Sequence, residues 1–369
     1  MEGKSMAHVA VLGAGGTIAP AIVRDLAESE KVGELVLLDL DGARAAEVAA
    51  QHAPGRATAR AVDAREGDAL ARALEGVDVL VNSGSYRINL EAMQACLDAG
   101  AHYLDLGGLY WMTQRQLEFG DAFERAGLVA ILGIGSSPGK TNLMAAHAVA
   151  QLGGPGTAIE SIEVMAAGRD QGAPNDGRLH PPYAIQTLVD ELTLEPIVIR
   201  EGQPEPVKPL SDGGEVDYGE PIGRAQTIFT LHSEMATFPD SFGCRGGSFR
   251  LSLAGPLLER LKELVGASAE EVAAASREAA PQSSQTVSVH LIHARAHDGR
   301  ACRVRAVTRS HFGLGGGIIS TATPAAAAVR LLARGSITAR GAHPPERCID
   351  PEEMFDELRA RGCTFSLES

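Results

Sequence analysis

Between His8 and Asp39 the chain reads as an apolar run, a glycine cluster, a helical repeat and a second apolar run, and this order admits very few folds. Residues 9–12 are Val-Ala-Val-Leu, a buried-strand signal that breaks into Gly13, Gly15 and Gly16. Ile18, Ile22 and Leu26 then recur at helical spacing. A second apolar run, 35–38, ends on Asp39, about twenty residues after the glycines, where a dinucleotide-binding unit places the carboxylate that accepts both ribose hydroxyls. Glycines let a backbone approach a pyrophosphate, and the next helix offers N–H groups and the positive end of its dipole. A carboxylate at Asp39 would repel a 2'-phosphate, so NAD is expected over NADP. Gly13 and Gly15 fill the first two positions of G-x-G-x-x-G and the third falls on Ile18. Read as G-x-x-G-x-x-A, the run is Gly13, Gly16 and Ala19. Gly13, Gly15, Gly16, Thr17, Ile18 and Asp39 are therefore the expected cofactor contacts.

The alternation of strand and helix continues. Residues 57–62 form a strand signal ending at Asp63 and Ala64, and residues 77–81 one ending at Asn82-Ser83-Gly84. Tyr103-Leu104-Asp105, a helix around 114–125 and a strand at 128–132 follow. The expected class is α/β, a doubly wound parallel sheet of the Rossmann type. Ligands of such sheets lie beyond the carboxyl ends of the strands, which puts Asp63, Ala64, Asn82, Ser83, Gly84, 105–108 and 133–139 on the ligand edge. Residues 135–141, Gly-Ser-Ser-Pro-Gly-Lys-Thr, imitate a P-loop. Ile134 stands where its first glycine is needed and Pro138 removes an N–H from the cradle, so a nucleotide triphosphatase is not expected.

From about residue 158 the pattern changes. Residues 159–167 and 196–200 are strand-like, 182–192 is an amphipathic helix, and 201–221, rich in Pro and Gly, reads as a long surface excursion. A strand at 224–231 precedes the clearest local signal, two alternating segments at 286–296 and 300–307 joined by Asp298-Gly299, an antiparallel hairpin. Helices are expected at 318–332 and 351–361. The organisation is a dinucleotide-binding domain at 1–140, an α+β substrate and dimerisation domain with a mixed sheet at 141–315, and C-terminal helices at 316–369.

Other classes are disfavoured. In 369 residues, 44% hydrophobic and 22% charged, a net charge of -14 with no basic cluster opposes nucleic acid and anionic membrane. Five scattered cysteines without C-x-x-C suggest reduced thiols, and neither a signal peptide nor a run of about 18 apolar residues is seen; a cytoplasmic protein is expected. His290 and His293 have opposite strand parity, so no metal site is expected with His297.

The order of these pieces resembles the saccharopine dehydrogenase-like family, and within it the lysine 6-dehydrogenase branch. The resemblance rests on Gly13-Ala14-Gly15 with Arg24-Asp25-Leu26, Val81-Asn82 with Tyr86, Asp105-Leu106-Gly107-Gly108, Pro138-Gly139 with Asn142, the Pro181-Pro182 helix and the closing segment 338–346. It implies NAD(P)-dependent oxidation of an amine or the reverse reductive amination, in a homodimer whose last segment packs back on the cofactor domain. Such chemistry moves a hydride from a carbon beside nitrogen and needs a group to take the amine's proton. Asp105 and Tyr86 at strand ends and His232, whose ordinary pKa lies near working pH, are the expected catalytic groups. Asp105 would pair with a substrate ammonium or orient water. Gly107, Gly108, Pro138, Asn142 and Glu234 are expected on the substrate side, with Arg169, Arg224 and Arg245 as carboxylate clamps; His180, Tyr183 and Lys140 are weaker candidates. Ser137 and Ala167 replace an acid and a cysteine of saccharopine-forming members, which points to a smaller amino acid, L-lysine or a related diamino acid. An opine-type reductase joining an amine to a carbonyl, and a non-catalytic NAD sensor, are the alternatives.

Overall fold

The structure, a computed structural model, describes residues 6–172, 176 and 178–368. It divides into two compact units, Met1–Lys140 with Thr321–Glu357, and Thr141–Ser320 with Leu358–Ser369.

The first unit is built on a seven-stranded sheet in the order Ala57–Ala61, Val32–Asp39, Ala7–Leu12, Val79–Asn82, His102–Asp105, Val129–Ile131 and Gly341–His343. Every pairing is parallel. Strands covered on both faces read as unbroken apolar runs, and Val9, Ala10 and Val11 are fully buried. Strand order reverses between Ala7–Leu12 and Val79–Asn82, which makes the gap above these two strands the crevice of the doubly wound sheet. The expected helix at 114–125 is two helices, Leu109–Leu117 and Gly120–Arg125, with the break just before Gly120, a poor helix former. The last strand, Gly341–His343, is unforeseen in the sequence because a Gly-Ala-His triplet carries no apolar run.

The second unit holds a nine-stranded mixed sheet. Its main path runs Asp212–Asp217, Arg224–Phe229, Gly246–Ser252, Ile159–Asp170, Thr286–Ala296, Ala301–Thr308 and Cys363–Glu368. Gly246–Ser252 is parallel to Ile159–Asp170 and the other pairs are antiparallel. The hairpin at Asp298-Gly299 runs in register from Ser288 opposite Thr308 to Arg295 opposite Ala301. Within 201–221 the surface excursion is replaced by two short strands, Gln203–Pro206 and Asp212–Asp217. Prolines sit at the sheet's periphery there, where a missing N–H costs no ladder bond.

The C-terminal segment divides. Residues 321–357 group with the first unit, whereas Cys363–Glu368 extends the second sheet beside Ala301–Thr308. Cys363, Phe365 and Leu367 alternate with Thr364, Ser366 and Glu368 after Gly362, a strand period rather than a helical one. The helix Gly316–Ala333 is long and apolar enough to span a membrane by composition, but most of it is buried, so its apolar surface is consumed by packing.

Candidate active site

At the crevice of the first sheet the turn after Ala7–Leu12 meets the turn after Val79–Asn82. Gly13 has φ +74, and a Cβ built on it would lie 2.6 Å from the Gly84 Cα, so only glycine lets the two backbones touch. Ser83 Oγ donates to Leu12 O at 2.8 Å, and Asn82 Oδ1 accepts the Gly84 N–H at 3.0 Å. Gly15 N–H donates to Asp39 Oδ2 at 2.8 Å, and Asp41 N–H to Asp39 Oδ1 at 2.9 Å. The carboxylate is thus oriented by backbone while each oxygen keeps a lone pair for a hydroxyl. Gly16 and Thr17 are exposed, and Ile18 precedes the helix Ala19–Ala27 without a side-chain cap, leaving its first turn to an anion. Asp63 is chelated by Arg65, whose hydrogen bonds hold its carboxyl at about 2, and Ala64 beside it is buried. Gly13, Gly15, Asp39, Asn82, Ser83 and Gly84 therefore converge on one cradle that fits a nicotinamide dinucleotide.

The neighbouring strand ends are tied by a buried polar network. Asp105 accepts from the N–H groups of Gly107 at 2.8 Å and Gly133 at 2.7 Å, from Gln116 Nε2 at 2.5 Å and from Asn89 Nδ2 at 3.2 Å. Asn82 Nδ2 in turn donates to Asn89 Oδ1 at 2.9 Å. Burial raises the Asp105 pKa, against the pull of these hydrogen bonds. With donors on both of its oxygens, Asp105 ties two loops, at Gly107 and Gly133, to two helices, Asn89–Ala99 and Leu109–Leu117. Gly108 is glycine because Gln116 Oε1 lies 2.6 Å from where its Cβ would stand, and Gly133 because the Pro138 ring does the same at 2.6 Å. The P-loop look-alike is closed on itself, since Gly135 N–H donates to Pro138 O at 2.9 Å. Tyr86, half-buried, opens the short 3-10 turn Tyr86–Ile88 with the Arg87 guanidinium over its ring.

In the second unit a charged cluster is buried. The His232 ring stacks on Phe249, centroids 3.4 Å apart and planes within 16°. Its Nε2 lies 3.8 Å from Glu191 Oε2 and its Nδ1 3.7 Å from Glu234 Oε2, close enough for ion pairing and too far for hydrogen bonds. Tyr183 donates its hydroxyl to Glu191 Oε2 at 2.6 Å, and Thr141 donates to Glu234 Oε1 at 2.7 Å. Burial alone would pull the imidazole down, but the two carboxylates outweigh it and lift it to about 9. The two carboxylates thus favour the charged form of the His232 ring. Glu191 was missed in the sequence because it looks like one more polar residue on the outer side of an amphipathic helix, Ile185–Thr193.

The expected carboxylate clamps of the second unit have other surroundings. Arg169 bonds Gly168 O, Ser252 O and Ser252 Oγ at 2.7, 3.1 and 2.8 Å. It shares strand parity with Ala167 and Met165, whereas Phe249 stands opposite Val164, so Arg169 and His232 belong to opposite faces of the sheet. Arg224 is exposed and pairs with Glu215 and Asp217, and Arg245 is exposed. Asn142 is buried on the helix Lys140–Gln151, one residue after Thr141.

The family profile described as saccharopine dehydrogenase NADP binding domain matches residues 9–131. Carboxyaminopropylagmatine dehydrogenase of Synechocystis sp. is 26% identical over 239 residues, 62% of this chain and 58% of its own. Carboxynorspermidine synthase of Vibrio alginolyticus is 33% identical over 119 residues, 29% of this chain and 28% of its own. The chain thus spans less than two thirds of either relative. The solved structure of apo saccharopine dehydrogenase (L-Glu forming) from Saccharomyces cerevisiae superposes with TM-score 0.70 at 14% identity, covering 98% of this chain and all of that one. Homospermidine synthase of Legionella pneumophila, in complex with NAD, gives 0.72 at 11% identity, covering 98% and 91%. By sequence, residues 9–131 match the saccharopine dehydrogenase NADP binding domain profile, and over nearly its whole length the chain shares the fold of these two solved structures.

Proposed function

We propose that the protein is an NAD-dependent oxidoreductase acting at the C–N bond of an amino-acid or polyamine-type amine. The observation that carries this reading is the buried His232 ring between the carboxyl groups of Glu191 and Glu234, in a chain whose first unit is a dinucleotide cradle. A bound dinucleotide supplies the hydride acceptor or donor. The chain's own task is the accompanying proton, which leaves the amine on oxidation and returns to nitrogen on reduction. Two carboxylates around one imidazolium leave the cluster net negative, a setting that favours a cationic amine over an anionic substrate. Asp39 favours NAD over NADP by repulsion of a 2'-phosphate. The family resemblance supports a homodimer, which light scattering of the purified protein tests.

Two reactions share these parts, deamination of L-lysine or a related diamino acid and reductive joining of an amine to a carbonyl. The relatives' names favour joining, because each describes a carboxyl-bearing derivative of a polyamine-type amine. The expected outcome is consumption of NADH only when an amine and a carboxylated aldehyde are supplied together. NADH production from lysine and NAD alone would establish deamination instead. Tight binding of NAD with no turnover of any pair would leave a sensor and end the catalytic reading.

A further inference from the structure

The reaction proposed above exchanges a proton with solvent at every turnover, yet the His232 side chain is only 6% exposed. Its two ring nitrogens and Glu234 Oε2 are buried without a hydrogen-bond partner among the described residues. Buried polar atoms are bonded in nearly all proteins, so three such atoms in one contact chain need an explanation. The chain has a direction. From the inside it runs Thr141, Glu234, His232, Glu191 and Tyr183, with steps of 2.7, 3.7, 3.8 and 2.6 Å. Thr141, Glu234 and Glu191 are buried, while Tyr183 is half-buried at the start of the segment that leads into Ile185–Thr193.

We propose that Glu191 and Tyr183 are the proton conduit between His232 and solvent, a role that rests on the oxidoreductase reading. The groups facing His232 are Glu191 from Ile185–Thr193, Glu234 from Glu234–Phe242 and the Phe249 ring from Gly246–Ser252. The gaps on either side of the ring exceed hydrogen-bond length by roughly one ångström, so a tilt on the Phe249 ring brings one nitrogen at a time to its carboxylate. In the outward stroke the Nε2–H bond breaks and an O–H bond forms on Glu191. That proton passes to the Tyr183 oxygen as the Tyr183 O–H proton goes to water. The ring is then neutral with its remaining proton on Nδ1, and the same bonds broken and formed in reverse, from water through Tyr183 and Glu191 to Nε2, recharge it. One proton leaves and one returns at Tyr183; no group changes oxidation state and the cluster's net charge is restored over the cycle. A conventional ion pair would close both gaps and leave no mobile ring.

Tyr183→Phe and Glu191→Gln remove the hydroxyl and the carboxylate at nearly constant volume. In weak buffer each is expected to lower kcat by about a hundredfold, with KM little changed, and added imidazole should restore the rate. Unchanged kcat, or a loss that no small buffer restores, overturns the conduit. A second readout needs no turnover. The NMR titration of the His232 ring should move to lower pH in Glu191→Gln, because one of the two charges that raise it is gone. An unmoved titration overturns the proposal even if the enzyme oxidises or reduces amines, whereas a moved titration in a protein without amine activity supports the contact and sinks the oxidoreductase reading alone.

Discussion

His102 shows how much one buried side chain decides. Its Nδ1 accepts the Val129 N–H at 3.0 Å, tying the fifth strand to the sixth, so the proton of the neutral ring sits on Nε2. Burial, and then the charge of Arg340, pushes its pKa from 6.5 to about 4. The unfolded chain therefore takes up a proton that the folded one refuses. Stability present above pH 6.5 should fall as pH drops toward 4, by roughly 3 kcal/mol in full. Urea melts at neutral and acidic pH should show a flatter profile for His102→Gln, which keeps an acceptor for Val129. Asp39 carries the proposed preference for NAD at the same scale. Asp39→Asn should weaken NAD about tenfold and narrow the gap to NADP, measured by calorimetric titration of both. Asp39 was legible because its partners, Gly15 and Asp41, are local or lie one strand away. The network around Asp105 was not legible, because its donors come from residues 89, 107, 116 and 133, which only the folded sheet collects.

Among elements, the strand–turn–helix opening was the most legible, since an unbroken apolar run giving way to glycine and then to a helical repeat has one reading. Gly13→Ala tests it directly. The new methyl would enter the Gly84 backbone from a left-handed residue, so about 1–2 kcal/mol of stability should go. Dinucleotide binding should go with it, because the turn must move off the crevice; a thermal shift and an NADH titration on the same sample check both. Edge elements were the illegible ones. Gln203–Pro206 and Gly341–His343 are short and carry no alternating apolar pattern, and only a neighbouring strand makes them strands. Glu191 belongs here too, because the sequence marks the helix that bears it and not the histidine, 41 positions on, that it faces.

For the molecule as a whole, the two-part division near residue 140 was readable, while the way the chain's last stretch is shared was not. Arg330 carries much of that sharing. Buried beside Asp25, 305 residues earlier, it donates to Asp25 Oδ1 at 2.9 Å and to Glu357 Oε2 at 2.7 Å. Arg330→Met should cost about 3 kcal/mol, because Asp25 loses the guanidinium it is buried against, and the double variant with Asp25→Leu should recover most of it. Denaturation midpoints of the two singles and the double decide the matter. No local pattern announces such a pair, since each residue alone reads as a helix-surface charge. The late arrival of Arg330 and of the strand Gly341–His343 also bears on biosynthesis. As the polypeptide leaves the ribosome, the nascent amino-terminal part waits with an open sheet margin while some two hundred further residues are translated. Its native packing is then completed after translation of the other half, not before, and any chaperone that shields that margin in the interval would govern yield.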